Sequence, residues 1–489
     1  MTVERLGVAG AGTMGAGIAQ LACLGELETR LTDPDPAALA AGGERVRADL
    51  DRGAERGRWS EGDAEAAKDR LAIVPELDDL AGCELVIEAA PERLELKREL
   101  FATLAAACGP EAVLASNTSS LFVTAIAAAS KRPGRVVGMH FFNPPALMPL
   151  VEVVAGDQTA PATLDLATTV AERMRRTPVR AADGIGFLAN RGARPFSLEA
   201  LRLLGERVAT VDQIDRIVRI GGGYRMGPFE LIDLIGVDVN LGVARSFHEQ
   251  SFGEPRWRPH PLQQRLVAAG RLGRKAGRGF YEYGDGPHRA DDPEPVASPG
   301  HSPEEEGDGG GRRAGEGDGE GTPTLIEGAG FRAHSLERGS LAALAPNDAL
   351  AVGFLALPDL ATATAVEINA GPATAYDALG AAGRHFAALG KHVECLPGDA
   401  PGMVLGRIVC QLVNEACFAV GEGVGSREDL DTALRLGFNH PRGPFEWGRA
   451  IGPERVLAVL DALAAELGQE RYRAAPLLRR WAATDQSGS

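Results

Sequence analysis

The amino-acid sequence predicts an α/β protein in which a doubly wound parallel sheet precedes an all-α domain, and this helical domain occurs twice. Three observations predict the fold class. Short apolar runs alternate with longer helical patterns up to about residue 180, as in parallel sheets with helical crossovers. A glycine-rich turn joins the first apolar run to the first helical pattern. The same motifs then occur twice in the rest of the chain at one constant offset.

The apolar runs of the sheet domain are short and almost continuous, as strands are when helices cover both faces of a parallel sheet. The predicted strands include runs that begin at Leu6, Leu85, Val113 and Val136. We assign residues 1–182 to this domain.

From residue 183 the hydrophobic pattern becomes helical. An apolar stripe begins with Phe196, Leu201 and Leu204 and continues at helical spacing toward residue 220. We therefore predict a first helical domain at residues 183–283.

An internal repeat links the two ends of the chain. The segment DGIGFLANR, which begins at Asp183, recurs as DAPGMVLGR from Asp399, and GPFE at Gly227 recurs at Gly443. Chance does not explain the agreement, since 399 − 183 and 443 − 227 are both 216. We predict that residues 396–489 form a second copy of the helical domain.

Two segments separate the copies. Residues 284–323 are rich in Gly, Pro, Glu and Asp and contain no aromatic residue, so they cannot bury enough surface to offset the entropy of ordering. We predict a disordered acidic linker there. Residues 324–395 read as a degenerate α/β segment that lacks a phosphate-loop signature.

Composition excludes several function classes. The net charge of −16 disfavours binding to nucleic acid or to an anionic membrane surface, because both need a basic footprint. No apolar run is long enough to span a bilayer, and Met1 leads directly into a strand, so we expect a soluble, cytoplasmic protein. The six cysteines form no CxxC pair and no metal-ligand spacing with histidine, so we expect reduced thiols and no metal.

The glycine-rich turn has the GxGxxG pattern and lies between a strand and a helix, as in Rossmann-type domains. The first glycine permits the tight turn, the second lets the backbone approach a pyrophosphate, and the third lets helix pack on strand. Asp33 ends the second strand, where a carboxylate can accept hydrogen bonds from ribose hydroxyls and repel a 2′-phosphate. We therefore predict NAD, rather than NADP, as the cofactor. The predicted cofactor-binding residues here are Gly10, Gly12, Thr13, Met14, Gly15 and Asp33.

Polar residues interrupt three further apolar runs. Ser119 and His140 fall where predicted strands end, and ligands of open parallel sheets bind beyond the carboxyl ends of strands. Glu152 lies on the strand that follows His140 and pairs with it if the two strands are neighbours. A histidine held by a carboxylate is a common general base.

Together these motifs resemble the 3-hydroxyacyl-CoA dehydrogenase family, in its longer bacterial form with a duplicated C-terminal domain (the 3-hydroxybutyryl-CoA or 3-hydroxyadipyl-CoA type). The resemblance extends to about residue 283 and returns near 395. It includes the GxGxxG turn, VIEA from Val86, PERLELK from Pro91, SNTSS from Ser116, HFFNP from His140, GFLANR from Gly186 and GRKAGRGFY from Gly273.

The resemblance implies NAD-dependent oxidation of an (S)-3-hydroxyacyl-CoA to the 3-oxoacyl-CoA, in fatty acid β-oxidation or aromatic degradation. It implies His140 as the catalytic base and Glu152 as its orienting partner. It also implies that Ser119 hydrogen-bonds the substrate 3-oxygen and that Asn190 completes the site from the helical domain. The positions that it implies line the cofactor are Glu92, Lys97, Asn143 and Lys275.

Other interpretations compete with these. The same fold serves dehydrogenases of free hydroxy or sugar acids, and a non-catalytic structural protein could also retain it. Ser119 and Asn190 could be helix N-caps, and Lys97 and Lys275 could be solvated surface charges. A basic cluster could receive the phosphates of coenzyme A or could simply be a solvated helix face. Its residues are Arg45, Arg47, Arg52, Arg56 and Arg58.

The repeat also predicts quaternary organisation. The second copy has Gly406 where the first has Asn190, so we expect it to be catalytically silent. We expect it to act as a built-in partner, giving an internal pseudo-dimer of helical domains, with a homo-oligomer also open. The length of the acyl chain and the presence of a terminal carboxylate on it stay undetermined.

Overall fold

The computed structural model describes residues 3–293 and 322–485. An eight-stranded sheet has the order β3-β2-β1-β4-β5-β6-β7-β8, and all neighbours are parallel except β6 and β7. Its strands are β1 (Arg5–Ala9), β2 (Glu28–Thr32), β3 (Leu71–Ile73), β4 (Leu85–Glu88), β5 (Val113–Ser116), β6 (Val136–Phe141), β7 (Leu150–Ala155) and β8 (Thr177–Ala182). The four predicted strands and the doubly wound sheet are confirmed.

Six helices accompany this sheet. They are α1 (Thr13–Leu24), α2 (Pro36–Glu55), α3 (Glu61–Asp69), α4 (Leu94–Ala107), α5 (Val123–Ala127) and α6 (Pro161–Arg173). The core lies between sheet and helices, where strand residues such as Leu6 and Val8 pack with Ile18 and Val170, all of them fully or almost fully buried.

The first helical copy contains α7 (Ala189–Gly205), α8 (Val211–Ile220), α9 (Pro228–Ile235), α10 (Val237–Gln250) and α11 (Pro261–Ala268). The second contains α14 (Leu405–Gly421), α15 (Arg427–Phe438), α16 (Pro444–Ile451), α17 (Pro453–Leu467) and α18 (Pro476–Asp485). Both GPFE motifs start a helix in the same way, since the Glu230 carboxylate accepts from Gly227 N and the Glu446 carboxylate from Gly443 N. The duplicated helical fold is therefore confirmed.

The segment between the copies forms a smaller sheet with the order β13-β12-β11-β10-β9. Its elements are β9 (Leu325–Gly328), β10 (Phe331–Ser335), α12 (Leu341–Leu344), β11 (Ala351–Leu355), β12 (Ala365–Ala370), α13 (Tyr376–Ala388) and β13 (His392–Leu396). From β10 to β13 the neighbours are parallel, antiparallel and parallel, as they are from β5 to β8. The degenerate segment thus repeats the end of the first sheet, without the strands that carry the GxGxxG turn.

Part of the predicted linker is held against the first helical copy. His288 and Arg289 both contact the Glu230 carboxylate, at 2.9 and 2.7 Å, and Asp292 forms an ion pair with Arg219 at 2.6 Å. These ionic contacts hold residues 288–292, the described beginning of the predicted linker, against the first helical copy. Residues 294–321 of the predicted linker lie outside the described residues.

The chain folds into two compact units. The first contains the large sheet with residues up to Arg191, together with residues 422–438 of the second helical copy. The second contains the rest of both helical copies and the small sheet. Within the first unit, α15 of the second copy packs on β7 and β8; within the second unit, α8 of the first copy packs on β12 and β13. Each copy therefore contributes its second helix to the sheet of the other half.

Across residues 3–293 and 322–485, none of the helices combines the length and the apolar character needed to cross a bilayer. The same residues contain no group of three or more His, Cys, Asp or Glu side chains that could hold a metal ion. All six cysteines are free thiols, and only Cys395 among them is exposed.

Candidate active site

The GxGxxG turn leaves room for an anion at the start of α1. Gly10 has φ +113°, and a Cβ on Gly15 would lie 1.8 Å from the Gly10 carbonyl oxygen, so both positions need glycine. A Cβ on Gly12 would meet no atom within 4 Å, so this side of the turn faces open space. The first-turn amides of α1, from Thr13 to Gly15, have no partner within the helix, and such amides bind phosphate well.

Asp33 follows β2 directly and is fixed beside this turn. Its Oδ2 accepts a hydrogen bond from Ala11 N at 2.8 Å, and its Oδ1 accepts from Asp35 N at 3.0 Å. Each oxygen keeps a second lone pair for an incoming hydroxyl. The residues present therefore fit the adenosine ribose and pyrophosphate of NAD.

His140 and Glu152 lie opposite each other on the antiparallel pair β6–β7. His140 Nδ1 is 2.7 Å from Glu152 Oε2, and both residues are buried, at 6% and 0% exposure. An ionised carboxylate can only accept a hydrogen bond. Nδ1 therefore keeps its proton and donates a hydrogen bond to Glu152. Nε2 then has a free lone pair, which is the state that a general base requires.

The second oxygen of Glu152 holds the start of α7. Glu152 Oε1 accepts from Leu188 N at 2.9 Å and from Ala189 N at 2.8 Å. Asn190 lies in the first turn of this helix, so one buried carboxylate fixes both the imidazole and the helix that carries Asn190. Asn190 follows the first helical residue and is not the N-cap.

A second carboxylate organises the loop that carries Ser119. Glu92 Oε1 accepts from Ser119 N at 2.9 Å, from Ser120 N at 3.0 Å and from the Thr118 hydroxyl at 2.7 Å. The Ser119 hydroxyl is 3.5 Å from the same oxygen, and the residue is exposed. Because α5 begins only at Val123, after Phe122, the N-cap interpretation of Ser119 is wrong.

The environment of Glu92 keeps it ionised. Burial alone would raise the pKa of Glu92, but the hydrogen bond from Thr118, the charge of Lys97 and the hydrogen bond from Ser120 together hold it below its ordinary value. Lys97 is 1% exposed, and its Nζ is 2.6 Å from Glu88 Oε1 and 3.4 Å from Glu92 Oε2. The solvated interpretation of Lys97 is therefore wrong, since it neutralises two carboxylates beneath the loop.

The two remaining predicted cofactor residues, Asn143 and Lys275, do not belong to the hydrogen-bond network around Glu92. Asn143 is exposed on the loop after β6. Lys275 belongs to the second unit, where its Nζ lies 2.6 Å from Asp238 Oδ1 and its side chain is 46% exposed. Their roles toward the cofactor stay predictions.

Sequence reasoning missed two groups of residues in the first compact unit. Glu88 is fully buried at the end of β4 and accepts from Lys97 and from the Ser116 hydroxyl, at 2.6 Å each. The signal was an acidic residue ending an otherwise apolar strand, with a lysine nine positions later. Asn117 was also missed; its side-chain oxygen accepts from Phe141 N at 2.9 Å and so holds the end of β6.

The second missed group is aromatic and comes partly from the second helical copy. The Phe142 ring lies 4.5 Å from the His140 ring and 6.2 Å from the ring of Phe438, at the end of α15. At the matching position the first copy has Gly222, since 438 − 222 is again 216. A phenylalanine in the second copy where the first has glycine was the sequence feature that could have revealed this aromatic contact.

Two domains of one protein family match most of the chain. The 3-hydroxyacyl-CoA dehydrogenase NAD binding domain matches residues 5–184, and the C-terminal domain of the same family matches 186–283 and 402–489. The chain is 39% identical over 487 residues to the 3-hydroxyadipyl-CoA dehydrogenase of Escherichia coli (strain K12). The aligned region covers 98% of each chain. It is 41% identical over 283 residues to the probable 3-hydroxybutyryl-CoA dehydrogenase of Bacillus subtilis (strain 168), which covers 58% of this chain and 98% of that one.

A solved structure gives the same result. The crystal structure of 3-hydroxybutyryl-CoA dehydrogenase from Escherichia coli K12 matches with a TM-score of 0.89 and 37% identity, covering 100% of both chains. The family domains thus account for both the dinucleotide-binding turn and the duplicated helices. The chain belongs to the 3-hydroxyacyl-CoA dehydrogenase family and is an NAD-dependent oxidoreductase.

Proposed function

We propose that His140 is the general base that removes the proton from the 3-hydroxyl of a 3-hydroxyacyl-CoA, and that Glu152 stabilises the imidazolium formed. The observation that carries this proposal is the 2.7 Å contact between His140 Nδ1 and the buried Glu152 carboxylate. Since Nδ1 donates to Glu152, Nε2 accepts the hydroxyl proton. Bound NAD would supply the hydride acceptor for C3.

Ser119 and Asn190 position the reacting oxygen in this proposal. The exposed Ser119 hydroxyl can donate to the 3-oxygen, while Glu92 holds the backbone of its loop. Asn190 can donate from its side-chain amide, and Glu152 fixes the first turn of its helix. Both donors act where negative charge develops on the oxygen as its proton leaves.

We also propose that the end of the basic cluster, Arg52 in the last turn of α2 with Arg56 and Arg58 just after it, binds the anionic end of coenzyme A. Arg52 pairs with Asp49 at 2.8 Å, whereas Arg56 and Arg58 have no acidic partner among the described residues. All three arginines line a cavity of about 210 Å³ beside Gln20 and the loop after β6. Unpaired arginines at a cavity suit phosphate groups, so these observations favour binding over a solvated helix face.

The second half is silent in this proposal because it lacks the base. Leu355 on β11 lies opposite Glu367 on β12, just as His140 lies opposite Glu152. Glu367 still accepts from Val404 N at 2.7 Å and Leu405 N at 3.0 Å, so it holds the start of α14. Burial raises the pKa of Glu367 to about 8, and no histidine is opposite to share its charge.

We infer that the second copy acts as an internal dimer partner. Reciprocal contacts support this: Ala182 N donates to Val424 O at 2.7 Å, and the equivalent Gly398 N donates to Val208 O at 3.1 Å. The ion pairs are reciprocal too, since Glu422 binds Arg191 at 2.7 Å and the equivalent Glu206 binds Arg407 at 2.6 Å. Equivalent residues exchanged in both directions are the mark of an isologous interface.

Substrate turnover tests the proposed reaction. With NADH, the protein should reduce acetoacetyl-CoA and should leave free acetoacetate largely untouched. Arg56→Glu together with Arg58→Glu should raise KM for the thioester, with kcat little changed, because these residues bind a part of the substrate that does not react. Equal turnover of the free acid, or an unchanged KM in the double variant, would contradict the respective proposal.

A further inference from the structure

The imidazole of His140 has two aromatic neighbours that are held to different degrees. The centroid of the Phe142 ring lies 4.5 Å from that of the imidazole, and the centroid of the Phe187 ring lies 6.0 Å from it. Phe187 is 1% exposed, so close packing fixes its ring. Phe142 is only half-buried and follows the end of β6 at Phe141. The ring nearer to the imidazole therefore needs support from another element.

Helix α15 of the second copy supplies this support within the first compact unit. The Phe438 ring at its end lies 6.2 Å from the Phe142 ring at an interplanar angle of 78°, an edge-to-face arrangement that aromatic pairs favour. Gly437 allows the close approach, because a Cβ there would lie 3.4 Å from the Phe142 ring and 2.8 Å from the Leu150 side chain. The end of α15 thus packs on the start of β7 and on the ring beside the imidazole.

The other half of the chain shows that docking of this helix does not need a phenylalanine. Gly221 is equivalent to Gly437, and a Cβ there would lie 3.3 Å from Ala365 at the start of β12. Ala365 is equivalent to Leu150, since 365 − 150 and 367 − 152 are both 215. The next residue of the first copy is Gly222. The equivalent helix therefore docks on the equivalent part of a sheet with no ring at this position.

The phenylalanine occurs on the side that has the histidine. Where the helix ends in Phe438, His140 faces the buried glutamate, whereas Leu355 faces it in the half that has Gly222. Because glycine suffices for docking in one half, the ring in the other half serves the histidine. We propose that Phe438 is a positioning residue, which holds Phe142 against the imidazole, so that the second copy contributes to the active site of the first half. This rests on the proposed role of His140 as the general base.

Phe438→Ala removes the ring and keeps the helix. In steady-state assays with acetoacetyl-CoA and NADH, we expect kcat to fall by about 3- to 10-fold, the fold-change that corresponds to one aromatic pair. The physical reason is that an imidazole with a mobile neighbour is aimed at the 3-oxygen for less of the time. KM for NADH should not change, because the GxGxxG turn and Asp33 are unaltered.

A double-mutant cycle tests whether Phe438 acts through Phe142. Phe142→Leu alone should also lower kcat. Adding Phe438→Ala to it should change kcat by less than about twofold, because the ring that Phe438 holds is already absent. If Phe438→Ala lowers kcat by the same factor in both backgrounds, the proposal is overturned, as it is by a wild-type kcat in Phe438→Ala or by a change confined to KM. If Phe438→Ala folds poorly, Phe438→Leu keeps an apolar side chain and serves in the same cycle with a smaller effect.

Leu430→Ala is the matched control, because Leu430 is fully buried on the same helix. It should lower the midpoint of thermal unfolding at least as much as Phe438→Ala does and leave kcat within about twofold. If Leu430→Ala lowers kcat to the same extent, the reaction depends on the docking of α15 and not on the ring, and the proposal is overturned. Failure of the proposed reaction looks different, since His140→Gln would then keep its turnover.

Discussion

Replacing Glu152 by glutamine should separate the base from its partner. The carboxylate accepts three hydrogen bonds, from His140 Nδ1, Leu188 N and Ala189 N, at 2.7, 2.9 and 2.8 Å. A glutamine has one acceptor oxygen, so its NH₂ must face at least one of these donors. Loss of a charge-assisted hydrogen bond at a buried site costs about 3 kcal/mol. We therefore expect kcat to fall by at least about 10²-fold in steady-state assays with acetoacetyl-CoA and NADH.

The second half of the chain provides a matched control. Glu367 makes the same two backbone contacts at the start of α14, but Leu355 stands where His140 would be. Glu367→Gln should therefore lower the midpoint of thermal unfolding, as Glu152→Gln does, and leave kcat within about twofold. If both variants lose turnover equally, Glu152 acts through fold stability alone. A Glu152→Gln variant that keeps more than a tenth of the wild-type kcat would also refute the reasoning.

Four further outcomes are expected. His140→Gln should reduce turnover by about 10²–10⁴-fold. The variant should still bind the cofactor, which titration with NADH and its fluorescence can measure. A variant that keeps more than a tenth of the wild-type turnover would argue against His140 as the base. Asp33→Ala should weaken NAD binding and reduce the preference for NAD over NADP. If the ratio of kcat/KM for NAD to kcat/KM for NADP is unchanged, Asp33 does not contact the ribose. Because burial raises the pKa of Glu367 to about 8, the folded chain holds a proton that the unfolded chain releases from about pH 4.5. Stability to urea should therefore decline as pH rises from about 5 to 8, less steeply in Glu367→Gln; parallel pH profiles would contradict this. Truncation after residue 283 should give a protein that self-associates or aggregates, and a soluble monomer as heat-stable as the full chain would oppose the internal-partner proposal.

Much of the fold was predictable because local signals agreed. The alternation of strands and helices, the GxGxxG turn and the 216-residue offset each depend on residues close in sequence or on exact repetition. The pairing of His140 with Glu152 was predictable as well, since the two residues end up on strands that follow each other directly.

The parts that sequence reasoning missed depend on contacts between distant segments. The charged neighbours of Lys97 on α4 left a solvated side chain open as an alternative; its burial depends on Glu88 and Glu92, whose carboxylates share its charge. The docking of Asp292 on Arg219 likewise runs against a composition typical of disorder. The exchange of α8 and α15 could not be read from either copy alone.

The pattern of loss in the second half separates catalytic from structural parts. It lacks the GxGxxG strands, has Leu355 at the position of His140 and has Gly406 at the position of Asn190. It keeps Glu367, which accepts a hydrogen bond from the start of α14, and it keeps Glu422, which forms an ion pair with Arg191. In the first half, a single buried carboxylate contacts His140, which we propose as the base, and also holds a helix, whereas the equivalent carboxylate of the second half holds only a helix. The second half thus keeps contacts to the first helical copy and lacks the residues proposed for the reaction, which supports our proposal that it acts as an internal partner.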